Sequence, residues 1–177
     1  AHSYLANNSY SKALEYLNKA YALAESTQSY EEMISILNSR VVAKFYIYFD
    51  NERAIEDLKE TIAIAKKHQD PSLANSAFYN IVEAYQDCGR FEESLEAYRD
   101  YTRLVIAPNH KKDLHKYLSF LSSGARLYIR TGQQKKAFFF LRLFKKYLAG
   151  TDMITKTRWE CLYLMDKAYY YLFTGRA

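Results

Sequence analysis

The sequence predicts an all-α fold made of antiparallel helix pairs that recur about every 40 residues. Three observations carry that reading. Chain breakers are rare, with 5 Gly and 2 Pro among 177 residues, which favours long helices. A set of positions at offsets 0, 4, 6, 9 and 13 recurs along the chain, most clearly as Tyr85, Gly89, Phe91, Ser94 and Tyr98. The small residues at the fourth position are Ala13, Ala54, Ser94 and Ala137, separated by 41, 40 and 43 residues. A constant period of that length is the mark of a repeated supersecondary unit.

Taken in order, Ala1 to Asn8 read as the tail of a helix and a turn, so that the first repeat lacks its leading helix. A helix is expected from about Ser9 to Ser26, with Leu14, Leu17, Ala20, Tyr21 and Ala24 at helical spacing. Ser29-x-x-Glu32 has the form of a capping box and should start a helix reaching about Phe49. Asp50 and Asn51 are both good caps for its partner, which carries Ala54, Leu58, Ile62 and Ala65. Asp70-Pro71 places a cap before a first-turn proline, predicting a helix from Ser72 to Cys88. Gly89 turns the chain into a helix from about Phe91 to Ile106, and Ala107-Pro108-Asn109 breaks it again. Helices are then expected over Lys111 to Thr131, Gln134 to Leu148 and Met153 to Thr174, with turns at Gly132 and Gly175. The repeats so defined are 1–28, 29–69, 70–108, 109–150 and 151–177, the first and last incomplete.

These offsets resemble the tetratricopeptide repeat, in an extended form with a period near 40. The chain departs from the family pattern where Val42, Val82, Ala125 and Ala168 replace the usual glycine, and no tryptophan opens the repeats. The resemblance implies a right-handed α-solenoid, here a single domain cut from a longer protein. It is similar to the repeat segments of bacterial sensor, regulator and peptide-receptor proteins. The implied function is non-catalytic recognition of a protein or peptide in the concave groove, with an effector domain outside this chain. In that family the first helix of each repeat lines the groove, which carries over to Arg40, Tyr46, Tyr79, Asn80, Glu83, Ser122, Arg126, Arg130, Met165, Asp166 and Tyr169. Asn80 stands where the family often binds a peptide backbone through a side-chain amide. Arg126 and Arg130, four apart on one helical face, could clamp a carboxylate, implying an acidic ligand. The competing readings are an inter-helix hydrogen bond for Asn80 and a Glu83 pairing or a solvated face for the two arginines.

Composition narrows the remaining classes. The four histidines have no metal-site spacing, and no phosphate loop or nucleophile motif is present, so neither enzyme, metal nor cofactor is expected. Cys88 and Cys161 lack any paired spacing and read as ordinary thiols. No apolar run is long enough to span a bilayer. The compartment is left open, the cytoplasm being favoured over a periplasmic sensor segment. The net charge of +5 is uneven: residues 1–102 carry 10 basic and 16 acidic side chains, and residues 103–177 carry 15 and 4. That asymmetry suggests self-association through unlike ends as an alternative role, a passive assembly scaffold. A nucleic-acid surface around Lys135, Lys136, Arg142, Lys145 and Lys146 is a weaker reading, since no base-reading motif accompanies the charge. The aromatic runs Phe45–Phe49, Phe138–Phe140 and Tyr169–Tyr171 are expected mainly in the core.

Overall fold

A computed structural model describes residues 2–45, 50–106, 113–149 and 153–175. Among the described residues every regular element is helical. The chain divides into two compact units, Ala1–Gly89 and Arg90–Ala177.

The first unit holds α1 (His2–Ser26), α2 (Tyr30–Ala43), α3 (Asn51–Lys67) and α4 (Asn75–Asp87). Each helix packs on the next in sequence: α1 on α2, α2 on α3 and α3 on α4. Leu37 and Val41 of α2, Ile55 and Leu58 of α3, and Phe78 and Val82 of α4 are fully buried. Asp50 caps α3 by accepting a hydrogen bond from the Arg53 amide at 3.1 Å, as the sequence suggests. Three details differ from expectation. No turn interrupts α1 at Asn8, and the helix runs unbroken through it. Asn8 has no Gly or Pro beside it, so the local sequence contains nothing that must stop a helix. The Ser29 side chain makes no capping bond to a backbone amide; instead Glu32 engages the Ser29 side chain, which holds the Glu32 carboxyl below its usual range. Pro71 opens a 3₁₀ turn, Pro71–Ala74, and the α-helix proper starts only at Asn75.

The second unit holds α5 (Phe91–Tyr101), which widens into a π-helical turn over Thr102–Ile106, then α6 (Leu114–Arg130), α7 (Gln134–Leu148) and α8 (Met153–Thr174). α6, α7 and α8 pack against one another, and α5 lies on α6. Asp113 caps α6 through the Lys116 amide at 3.0 Å. Ala125, Ile129, Ala137, Leu141 and Tyr170 form one buried cluster joining α6, α7 and α8, with Tyr128, Phe140 and Tyr163 packed around it.

The sequence periodicity maps onto this structure in two ways. Of the four small anchor residues, Ala54, Ser94 and Ala137 are completely buried. The turn glycines Gly89, Gly132 and Gly175 take φ values of +72°, +70° and +62°, the left-handed conformation that ends a helix most cheaply with glycine. The aromatic runs are divided more evenly than expected. Phe140 and Tyr170 point inward, whereas Phe138, Phe139, Tyr169 and Tyr171 are exposed; of the first run only Phe45, half-buried, lies within the described residues. Consecutive residues on a helix are 100° apart, so a run of three cannot share one buried face.

Gly124, in the middle of α6, has a different role from the turn glycines. A Cβ there would lie 2.0 Å from the Tyr98 hydroxyl oxygen, 2.6 Å from its Cζ and 2.9 Å from Phe140 Cδ1. The missing side chain is the slot that admits Tyr98. The ring stacks on Phe120 at 4.8 Å and meets Tyr128 and Phe140 edge-on, and its hydroxyl donates to the Phe120 carbonyl at 3.0 Å. We expect Gly124→Ala to destabilise the protein by roughly 1–3 kcal/mol through overpacking, despite the ~1 kcal/mol that alanine offers a helix over glycine. Tyr98→Phe alone should cost about 1 kcal/mol for the lost hydrogen bond. Because the hydroxyl is the nearest obstacle, the double variant should be more stable than the sum of the two losses predicts. Urea denaturation of all four proteins checks this, and strict additivity would show that the two residues do not compete for the slot.

Candidate ligand-binding site

α4 presents Tyr79, Asn80, Glu83 and Asp87 at spacings that place them on one side of the helix. They line a cavity of about 390 Å³ together with Ala84, Phe45 and Asn51. Ala84 is almost fully buried and forms part of the floor, while Tyr79, Asn80 and Glu83 are half-buried and Asp87 is exposed. Phe45 follows α2 and Asn51 opens α3, so three consecutive segments of the first unit meet here. Asp50 takes the capping position at the start of α3, which places Asn51 in the first helical turn.

The lining is chemically selective. Among the described residues that line it are two carboxylates, Glu83 and Asp87, four residues apart. Two carboxylates at that spacing lie on one helical face and make it more hospitable to a basic group than to an acidic one. The amides of Asn51 and Asn80 each offer paired donors and an acceptor, suited to a peptide bond. The rings of Phe45 and Tyr79 provide surface for an aliphatic stem or a cation.

The other residues assigned from sequence lie elsewhere. Arg40 is engaged with a buried carboxylate. Its Nη2 lies 2.7 Å from Asp57 Oδ1, and Lys44 Nζ lies 2.6 Å from Asp57 Oδ2. Asp57 is 2% exposed, Arg40 19% and Lys44 12%, so three charges share a largely dry space between α2 and α3. The Lys44 ammonium is off the hydrogen-bonding direction of Oδ2 and donates to the Arg53 carbonyl at 3.0 Å. The Tyr21 ring of α1 lies 5.6 Å from the Arg40 guanidinium, and its hydroxyl donates to Glu60. Burial, reinforced by that bond and by the Glu60 and Glu25 charges, pushes the Tyr21 hydroxyl far above its ordinary range, so it stays a neutral donor. Arg40 therefore ties α1, α2 and α3 together.

A parallel arrangement joins α6 and α8. Ser122 donates to Asp166 Oδ2 at 2.5 Å, and Arg126 Nε lies 3.8 Å from Asp166 Oδ1, with Asp166 2% exposed. Three residues assigned to the groove thus form one polar cluster, in which Asp166 is a carboxylate facing Arg126. Arg130 is exposed in the last turn of α6, and Met165 and Tyr169 are exposed on α8. Tyr46 lies outside the described residues. A second hollow, about 500 Å³, lies at the start of α7 between Lys135, Lys136, Phe138 and Tyr170, and none of the assigned residues lines it.

Sequence reasoning missed Phe45, Asn51 and Asp87 in the cavity and Lys44 and Asp57 in the ion cluster. Asp87 was accessible, since it is one turn beyond Glu83. Asp57 was not, because its partners are on another helix. Among the described residues no group of His, Cys, Asp and Glu has a metal-site arrangement, and no helix is long and apolar enough to cross a membrane. No family model matches the chain, and neither a curated protein nor a solved structure is detectably similar to it.

The Asp57 cluster yields a stability test. Asp57→Asn strands two cations in a poorly solvated space and should cost about 3–5 kcal/mol. Arg40→Met leaves Asp57 paired with Lys44 and keeps most of the buried volume, so its cost should be smaller. Chemical denaturation of both variants gives the order, and an Arg40→Met loss exceeding that of Asp57→Asn would contradict this account.

Proposed function

We propose that the chain is a non-catalytic recognition module of tetratricopeptide-like helix pairs, stacked as an α-solenoid, that binds an extended peptide carrying a lysine or arginine. The observation that carries this reading is the convergence of Tyr79, Asn80 and Glu83 on one cavity with a second amide and a second carboxylate. Those three residues are where the resemblance to the repeat family assigns ligand contacts. The chemistry of the lining suggests the ligand class: its two carboxylates favour a basic over an acidic side chain, and the amides can pair with backbone. An acidic ligand, by contrast, would rest on Arg126 and Arg130, and Arg126 faces the buried Asp166. In the wider role that the resemblance implies, a sensor or regulatory segment of a signalling protein, the bound peptide would bias how the helix pairs pack and so act on an effector domain.

The test begins with an unbiased peptide library displayed on phage. Enriched sequences should share a lysine or arginine, and a synthetic copy should bind the wild-type chain more weakly as salt rises. Asn80→Ala and Glu83→Gln should each weaken binding about tenfold, or about 1.4 kcal/mol, with helicity and melting unchanged. An absence of enrichment, or full binding by both variants, would remove the proposal.

A further inference from the structure

α8 is apolar around most of its circumference. Trp159, Asp166 and Tyr170 are buried on the side packed against α6 and α7. On the opposite side Cys161, Leu164, Met165, Ala168, Tyr169 and Leu172 are all exposed. Leu164 is 56% exposed, Met165 59% and Leu172 79%. With Tyr171 at its edge the uncovered apolar surface is on the order of 500 Å², towards the upper end of what monomers tolerate. It would supply the apolar centre of the ~800 Å² that each partner contributes to a stable interface of standard size.

The pattern on this face is symmetric about Ala168. Leu164 and Leu172 stand four residues to either side of it, and Met165 and Tyr171 three. In an antiparallel pair of α8 helices related by a two-fold axis through Ala168, residue 168−k faces residue 168+k of the other copy. Leu164 then meets Leu172, Met165 meets Tyr171, and the small Ala168 lets the two helices approach at the crossing point. Such matching of a surface with itself is what an isologous two-fold interface requires.

We propose that α8 is the dimerisation surface of this protein and that its occupant is α8 of a second copy. The electrostatics give this dimer a signature. Residues 90–177 carry 17 basic and 8 acidic side chains, so pairing through α8 brings two like-charged units together. Salt screens that repulsion and strengthens apolar contact, so the dimer should tighten as salt rises. Association through unlike ends, acidic against basic, would weaken instead.

Sedimentation equilibrium of the 177-residue chain at low and high salt decides between these. We expect a dimer in the micromolar range whose dissociation constant falls with added salt. Leu172→Glu alters a residue that touches little in the monomer, and should raise the dissociation constant at least tenfold while helicity and melting of the monomer are retained. Ala168→Cys should give a disulfide between the two introduced cysteines on mild oxidation. Cys161 should not join its twin, because seven residues on each side of the axis separate them by about 21 Å along the helices. A chain that is monomeric at both salt concentrations overturns the proposal, whatever else then covers α8. So does a dimer indifferent to Leu172→Glu, or one that cross-links through Cys161.

Discussion

A helix packed between two neighbours has to bury two faces, and that constraint governs most of this protein. α2 lies between α1 and α3, α3 between α2 and α4, and α6 contacts both α7 and α8. An ordinary surface helix needs one apolar stripe; a helix between two neighbours needs two, and its sequence loses clear amphipathicity. The second face need not be wholly apolar, and here parts of it are filled by charge. Asp57 and Asp166 occupy buried helix–helix positions, each with cationic and hydrogen-bonding side chains from the adjoining helix. A buried carboxylate is tolerated only where such partners converge, so these clusters specify which helices meet and in what register more than they add net stability.

The aromatic residues serve the same constraint by a different route. Tyr98, Phe120, Tyr128 and Phe140 form a continuous set of ring contacts across α5, α6 and α7. Rings of this size fit between helices only if something small stands opposite, and Gly124 supplies that space. A residue that weakens a helix locally is thus kept by the packing around it, because the neighbouring helix gains more from the slot than α6 loses.

What the sequence made legible follows from the range of the interactions involved. The all-helical class, the starts of α3, α7 and α8 and the turns at Gly89, Gly132 and Gly175 depend on a few consecutive residues. The Asp50 cap sets the start of α3, and left-handed glycines set the turns. The buried anchors Ala54, Ser94 and Ala137 were legible because repetition reported on packing that no single segment reveals. The unbroken α1 was not, since the repeat pattern implied a turn at Asn8 that local residues do not enforce. Nor were the partners of Arg40 and Arg126: a carboxylate on another helix lies 17 or 40 residues away, and charge alone does not distinguish a buried partner from a solvated one. At the candidate site, Tyr79, Asn80 and Glu83 came from the repeat register, Asp87 from helical spacing that was overlooked, and Phe45 and Asn51 only from the fold.

The location of the α4 cavity gains force from how charge is divided along the chain. Residues 1–89 carry 8 basic and 12 acidic side chains, a net −4, although the whole protein is +5. A basic peptide approaching from solution is attracted by the unit that holds the cavity and repelled by the other, so long-range steering and local chemistry favour the same site. This agreement is not automatic, since the buried pairs at Asp57 and Asp166 largely cancel and contribute little at a distance. The net negative character of the first unit comes from its more exposed carboxylates, Glu83 and Asp87 among them. The carboxylates that would draw a cationic ligand toward α4 include the two that would hold it, which couples association rate to affinity at this site.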